Sequence, residues 1–519
     1  MSLELLRKLQ KLALFFLILF LPLNSIPIRF AIPGIGGDLS NYFFILGMML
    51  LAYEYWKFGF NIERNAKIFF VTYIGWQVIC LAHGLLSYEY NELLTLEQIP
   101  KLEFILSKLA SYGINIEELI AIKAWLFLRF CKNIILLNNG VFLLCFYVYH
   151  LYKNDFTSAF NYVRNAIVCL FILMGSYSVI ELAWLKFDLQ IAKNILITIN
   201  PYLYDPVSSH GWWPPLLWKN QLRSVFTEPS FFGIVSVLSL PLIWSLLFDK
   251  QYKKLSLFVV FYYTLMIAAT NARTAIVLTI VELFLLCIFN IIIRKKDYLR
   301  SSCLIVLVSV LAFGINLINF NSILRNSAIT IKNVNIQTKS DSNIINKAVK
   351  RYVTRNITSV ANTSSRSNNA RFANLVANLN TVAQYPIMGV GAGLKDAYID
   401  RNLPKFAYKN REVLNWRKYM QNKGVLKSDY PALNNYANIA VQNGLVGLLL
   451  YLSVVGYLVV QLLKYNKFIF SDYSATMLVI AMIGLLGAGF SSAYFTICNG
   501  IVWGLLYCKL KEIKNNDLS

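Results

Sequence analysis

The stretch TAIVLTIVELFLLCIFNIII, Thr274 to Ile293, matches the ~20 residues that an apolar helix needs to cross ~30 Å of hydrocarbon. Leu12 to Leu23 and Phe231 to Phe248 read the same way. Working outward from these runs gives twelve candidate spans, near 12–27, 41–57, 68–87, 133–151, 166–184, 229–248, 255–271, 274–293, 302–318, 436–463, 473–490 and 493–508. Composition points the same way. Of 519 residues, 57% are hydrophobic and only 14% charged, where a soluble chain carries about a quarter charged. Apolar faces on this scale need lipid to cover them. The expected fold class is therefore all-α, a polytopic transmembrane helical bundle of about twelve spans. The first run follows Arg7, Lys8 and Lys11 as a signal peptide would, but no small-residue cleavage site follows and more spans do, so it reads as a retained helix.

Orientation follows from Lys and Arg in short loops. With the N-terminus inside, the inside segments hold Arg7/Lys8/Lys11, Lys57/Arg64/Lys67, Lys153/Arg164, Lys250/Lys253/Lys254, Arg294/Lys295/Lys296/Arg300, Lys464/Lys467 and Lys509/Lys511/Lys514. Every one is basic, so both termini are expected in the cytoplasm. The eight cysteines lie in or beside apolar runs, where thiols act as small apolar groups. Neither a disulfide framework nor a thiolate metal site is expected. His83 and His150, on the third and fourth spans, read as packing or interface residues.

Three outside segments are long. Residues 88–132 carry six glutamates and an amphipathic pattern from Leu102 to Ile114, which suits surface helices lying in the membrane interface. Residues 185–228 contain His210-Gly-Trp212-Trp213-Pro-Pro. The third segment divides the chain into 1–318 with spans one to nine, a loop over 319–435, and 436–519 with spans ten to twelve. From 319 to 432 it holds 18 Lys and Arg against five Asp and Glu, net +13 of the chain's +23. Long loops translocate largely regardless of charge. The excess serves either solubility and attraction to anionic headgroups, or a phosphate-bearing or acidic ligand.

Four short motifs lie at the predicted outer surface. Arg223-Ser-Val-Phe-Thr-Glu228-Pro229-Ser-Phe-Phe-Gly233 opens the sixth span. There Glu228 is either a helix-capping carboxylate or part of an ionisable pair at the membrane boundary. In Thr270-Asn-Ala-Arg273-Thr274, Arg273 either snorkels to headgroups or binds a ligand. Asn369-Ala-Arg371-Phe-Ala-Asn runs through a predicted helix to Tyr385-Pro386-Ile-Met-Gly389-Val-Gly391-Ala-Gly393. Its glycines serve either as turn formers or as a nest of N–H groups for phosphate, and no P-loop lysine supports a nucleotide site. Leu433-Asn434-Asn435-Tyr436 leads into Gln442-Asn-Gly444-Leu-Val-Gly447; a helix cap explains one Asn better than two.

In this order, and with a large loop between the ninth and tenth spans, these motifs resemble the O-antigen polymerase and ligase superfamily, the Wzy and WaaL type of membrane glycosyltransferase. The resemblance covers roughly 220 to 450 by motif and most of the chain by topology. It implies a GT-C-like bundle in a bacterial inner membrane, working on glycans carried by undecaprenyl diphosphate. It also implies neighbouring membrane lipid, a flippase and a chain-length regulator as partners, and neither nucleic acid nor a cofactor. Two positions depart from the pattern. Leu433 stands where a His often precedes the tenth-span Asn, and Ala272 precedes Arg273 where Ser is usual. Without that His, a polymerase is favoured over a ligase.

Sugar transfer from a lipid diphosphate puts negative charge on the leaving group, so fixed cations lower the barrier. Arginine suits this because its planar fork stays protonated and binds phosphate oxygens in pairs. No carboxylate cluster suited to Mg²⁺ is visible in the sequence. Arg223, Arg273 and Arg371 are thus the expected diphosphate clamp, with Arg366 beside them. Glu228 is the expected base or acceptor-hydroxyl anchor, with His210 as second base candidate and Asn434 and Asn435 as substrate contacts. Trp416 and Tyr419, and less so Tyr408 and the Trp212/Trp213 pair, are aromatic candidates for sugar faces; the membrane aromatic belt is the other reading of the Trp pair. A flippase or transporter, an O-antigen-type ligase and a basic wall-binding scaffold are the competing functions.

Overall fold

A computed structural model of the protein describes residues 1–32, 34–205, 221–249, 253–317, 366–427 and 430–517. Its secondary structure is helical. The helices named below are α1 (Leu3–Leu19), α2 (Leu39–Phe58), α3 (Arg64–Leu86), α4 (Pro100–Ser111), α5 (Glu118–Asn133), α6 (Gly140–Tyr152), α7 (Phe156–Phe187), α8 (Gln190–Leu203), α9 (Pro229–Trp244), α10 (Lys253–Ala269), α11 (Arg273–Ile293), α12 (Lys296–Leu317), α13 (Arg366–Gln384), α14 (Lys395–Arg401), α15 (Arg411–Lys423), α16 (Asn435–Lys464), α17 (Asn466–Ser471), α18 (Tyr473–Ala488) and α19 (Ile497–Asp517).

Each of the twelve expected spans overlaps a helix, the first of them only as far as Leu19. Among the described residues, six segments are long and apolar enough to cross a membrane: α3, α7, α9 with its 3₁₀ extension to Phe248, α11, α12 and α16. The others fall short in length or hydropathy. The expected span over 133–151 shows why. A π-helical turn at Ile134–Asn138 interrupts a helical run from α5 to α6, leaving only 13 residues of α-helix beyond it. There the Asn139 side-chain amide donates to the Ile134 carbonyl at 2.7 Å and to the Gln77 side-chain oxygen at 2.9 Å. Such bulges mark places where a side chain enters the helical hydrogen-bond ladder.

The basic short segments gather at one end of the bundle. Arg7, Gln10 and His150 all meet Glu54, with Arg7 Nη2 and His150 Nε2 each 3.1 Å from Glu54 Oε1. Lys509 Nζ lies 3.0 Å from Asp472 Oδ2, and Lys295 Nζ donates to the Ser471 carbonyl at 3.1 Å. The opposite end carries the N-termini of α9, α11 and α16, and onto it packs the region 366–427. That region shares an apolar core with the bundle, in which Ala370, Ala373, Tyr398 and Tyr430 join Leu81 and Leu85 of α3, Ile122 and Leu126 of α5, and Val441 of α16.

Glycines decide how the two parts lock. α16 is kinked at Gly444, which has φ 68°. The 386–391 turn enters that kink, where Val390 N–H donates to the Val441 carbonyl at 2.8 Å and Gly391 N–H to the Gln442 carbonyl at 3.0 Å. In return, Leu445 N–H donates to the Pro386 carbonyl at 2.7 Å. A Cβ on Gly444 would lie 1.8 Å from the Ile387 carbonyl oxygen, and one on Gly389 (φ 66°) 2.4 Å from that of Val441. Only glycine permits this backbone approach. The glycine motifs of the loop and of α16 are therefore two halves of one latch, and the Val390 and Gly391 N–H groups are committed to it rather than to phosphate.

Candidate functional site

The chain before α9 is held from beneath by a carboxylate that the motifs did not include. Glu181, fully buried on α7, accepts the backbone N–H of Arg223 at 3.1 Å and of Ser224 at 2.8 Å. Ser224 takes a left-handed turn (φ 55°), and its hydroxyl donates to the Met174 carbonyl. This turn drives the Arg223 side chain inward. Its guanidinium donates to the Phe226 carbonyl at 2.9 Å and the Tyr177 hydroxyl at 3.0 Å, and lies 4.5 Å from the Tyr204 ring centre. Arg223 is 1% exposed. Its described partners are all internal, and they differ from those around Arg273 and Arg371.

Five residues further on, the same segment reaches the bundle rim. Pro229 occupies the first turn of α9, and Glu228 precedes it as N-cap, in extended conformation and without a side-chain cap bond to the helix. Its carboxylate instead accepts the Ser230 hydroxyl at 3.0 Å. Glu228 thus sits at the N-cap as a half-buried carboxylate, where its charge complements the helix N-terminus without a side-chain cap bond. Arg273 is the first residue of α11, following the Thr270 turn that receives Leu222: Leu222 N–H donates to the Ala269 carbonyl at 3.0 Å. A cation at a helix N-terminus opposes the helix dipole, a placement that an anion would relieve.

Arg371 arrives from the loop region. α13 lays it over the turn between α18 and α19, where Nη1 donates to the Ser491 carbonyl at 2.8 Å. Burial pushes the Arg371 guanidinium below its ordinary pKa; the fields of Glu228 and Glu412 oppose that shift, and that of Arg273 adds to it. Glu228, Arg273, Arg371 and Glu412, from four separated stretches of the chain, therefore share one electrostatic neighbourhood.

The paired asparagines border it. Asn434 caps α16, accepting the Ala437 N–H at 2.9 Å, and its amide donates to the Phe490 carbonyl at 3.3 Å. Asn435 is buried; its backbone N–H donates to the Gly489 carbonyl at 2.7 Å. One Asn is thus the cap and the other faces inward. The sequence reading missed the 489–496 turn, GFSSAYFT, on which Arg371, Asn434 and Asn435 all rest; nothing in its composition separates it from any other short loop. Glu181 did carry a signal, being an ionisable residue inside an apolar run.

The remaining candidates lie apart or out of view. Trp416 is half-buried and edge-on to Tyr430, ring centres 6.0 Å apart, while Tyr419 is 47% exposed on α15. Arg417 beside them is taken by Asp400, Nε to Oδ1 2.8 Å, and stacks over Tyr408. Arg366 begins α13, but its side chain lies outside the described residues, as do His210, Trp212 and Trp213. All eight cysteines are free.

Comparison with known families agrees with the motif order. The family model described as O-antigen ligase, Wzy_C, matches residues 258–452. The match supports a domain of the O-antigen polymerase and ligase superfamily over these residues. The matched stretch runs from α10 into α16 and holds Arg273, Arg371, Asn434 and Asn435; Arg223, Glu228 and the 489–496 turn lie outside it. No curated protein matches the chain. This match, together with the apolar helices, fits a multi-pass membrane protein of the O-antigen ligase and polymerase type.

Proposed function

We propose that this protein polymerises lipid-linked oligosaccharide repeat units, transferring glycan from undecaprenyl diphosphate to an acceptor sugar at the outer leaflet of a bacterial plasma membrane. The observation that carries the reading is that the buried Arg371 guanidinium lies within the fields of Glu228, Glu412 and Arg273. In the proposed reaction the acceptor hydroxyl oxygen bonds the anomeric carbon as the bond from that carbon to the diphosphate oxygen breaks. The electron pair leaves with the diphosphate, and the hydroxyl proton passes to Glu228. Arg273 and Arg371 stabilise the departing charge, which is largest in the transition state and after it.

With no substrate, the fields of Glu228 and Glu412 offset part of the cost of burying Arg371. Arrival of a diphosphate gives the arginines a stronger anion and releases Glu228 toward the acceptor hydroxyl, within reach of general-base chemistry. Arg223 takes a different role here from that expected of it. Enclosed by Tyr177, Tyr204 and Phe226, it holds the segment that presents Glu228, so the clamp is reduced to Arg273 and Arg371.

A second reading, transfer of finished polymer to a different acceptor, is favoured by the description of the matching family as a ligase. Reconstitution in liposomes with the lipid-linked repeat unit as sole substrate separates the readings. A ladder of products supports polymerisation. Product formed only after a distinct acceptor is added supports ligation. Movement of the lipid across the bilayer without new bonds makes the protein a flippase and removes the proposal.

A further inference from the structure

Beneath the turn that receives Arg371 lies a small polar cavity among apolar helices. It encloses about 10 Å³, space for roughly one water-sized group, and is lined by Asn435, Tyr451, Ser492 and Asn499 with Ile234 and Phe495. Two of these side chains lack adequate partners. Asn499 is 7% exposed and its Oδ1 accepts no hydrogen bond, although it is fully buried. Asn435, also 7% exposed, has for its side-chain amide only a 3.5 Å contact with the Tyr451 hydroxyl, at the limit of a hydrogen bond. Buried amides are almost always satisfied, and exceptions call for an absent group. A carboxamide oxygen needs a donor and a carboxamide nitrogen needs an acceptor. A hydroxyl supplies both.

The slot lies beside the proposed reaction centre: Ser492, in its wall, directly follows Ser491, whose carbonyl holds Arg371. Ser492 Oγ accepts the Tyr494 N–H at 3.0 Å, which fixes the turn around the opening. We infer that the Asn435–Asn499 slot is a subsite for one hydroxyl group of the acceptor glycan, which sets the face of the sugar presented to Glu228. The inference rests on the proposed glycosyl transfer. A water molecule offers the same chemistry, and the test separates the two.

The probe is a soluble oligosaccharide released from the host cell's own surface polysaccharide, titrated into detergent-purified full-length protein and, separately, into the liposome assay. Asn499→Leu fills the slot; Ser492→Ala, a milder change, controls for folding. The expected result is oligosaccharide binding weakened by roughly tenfold or more in Asn499→Leu, because a site built to bond a hydroxyl discriminates strongly once the bond is lost. A smaller loss in Ser492→Ala, with the dependence on lipid-linked donor unchanged in both, completes the expectation. Binding equal to native in both folded variants makes the slot a water site and overturns the inference. If native protein binds the oligosaccharide through the slot yet forms no product, the subsite stands and the proposed reaction fails.

Discussion

Arg371 and Arg223 look alike in the sequence, each an arginine in a short motif near a predicted rim, yet their surroundings differ. Arg371 faces a carboxylate and a second arginine, whereas Arg223 is walled in by tyrosines and a carbonyl. The sequence could name both but not their facing, because the left-handed turn at Ser224 depends on Glu181, 43 residues away on another helix. Arg371→Ala is expected to cut polymer yield tenfold or more, at ~1.4 kcal/mol per decade. Arg371→Lys should recover little of it, since a point charge cannot replace a fork. Normal polymer from Arg371→Ala at native membrane levels contradicts the assignment. Glu181→Ala should act through folding. Leaving the buried Arg223 and Ser224 N–H groups without their acceptor costs about 1–3 kcal/mol each, read as loss of folded protein in the membrane, while activity per surviving molecule stays within a few-fold.

At the scale of elements, the helices were legible and the joints between them were not. Apolar runs located the helices of the expected spans because lipid-facing and core-facing residues are alike apolar, and they passed over α8, α14 and α15. They overestimated several lengths, since periodicity cannot register a π-turn such as Ile134–Asn138 or the kink at Gly444. The glycine motif over 389–393 was open between turn and phosphate nest; its Val390 and Gly391 N–H groups prove to be spent on carbonyls of α16, a pairing of segments about 50 residues apart. Gly444→Ala tests the latch. It places a Cβ against the Ile387 carbonyl and forces a non-glycine residue to φ 68°, which costs on the order of 1–3 kcal/mol in backbone strain alone. Lower thermal stability of the purified variant is expected, whereas Gly456→Ala, in the same helix with open space around it, should melt as native does. Equal melting of the two removes the latch as a stabilising joint.

Across the whole molecule, charge sorts the two ends. The basic short loops converge around Glu54 and Asp472 at one end, and the region carrying Arg371 and Tyr419 covers the other. The Lys and Arg pattern anticipated the clustering of the short loops, but the sequence could not reveal that a loop rich in Asn and Arg folds onto α3, α5 and α16 through a shared apolar core. Single-cysteine variants in a background without the native thiols test the orientation. Tyr419→Cys should react with a membrane-impermeant maleimide in intact cells, and Lys511→Cys only after permeabilisation. The reverse pattern puts the site on the cytoplasmic face, where an outer-leaflet reaction is ruled out.

In the proposed reaction two guanidiniums, Arg273 and Arg371, hold the lipid diphosphate. The most direct test is a titration of undecaprenyl diphosphate into purified native protein and into Arg273→Ala and Arg371→Ala, with undecaprenol as the phosphate-free control. The expected result is affinity weakened about tenfold or more in each variant, with undecaprenol bound weakly and equally by all three. Equal diphosphate affinity in native protein and both variants contradicts the clamp.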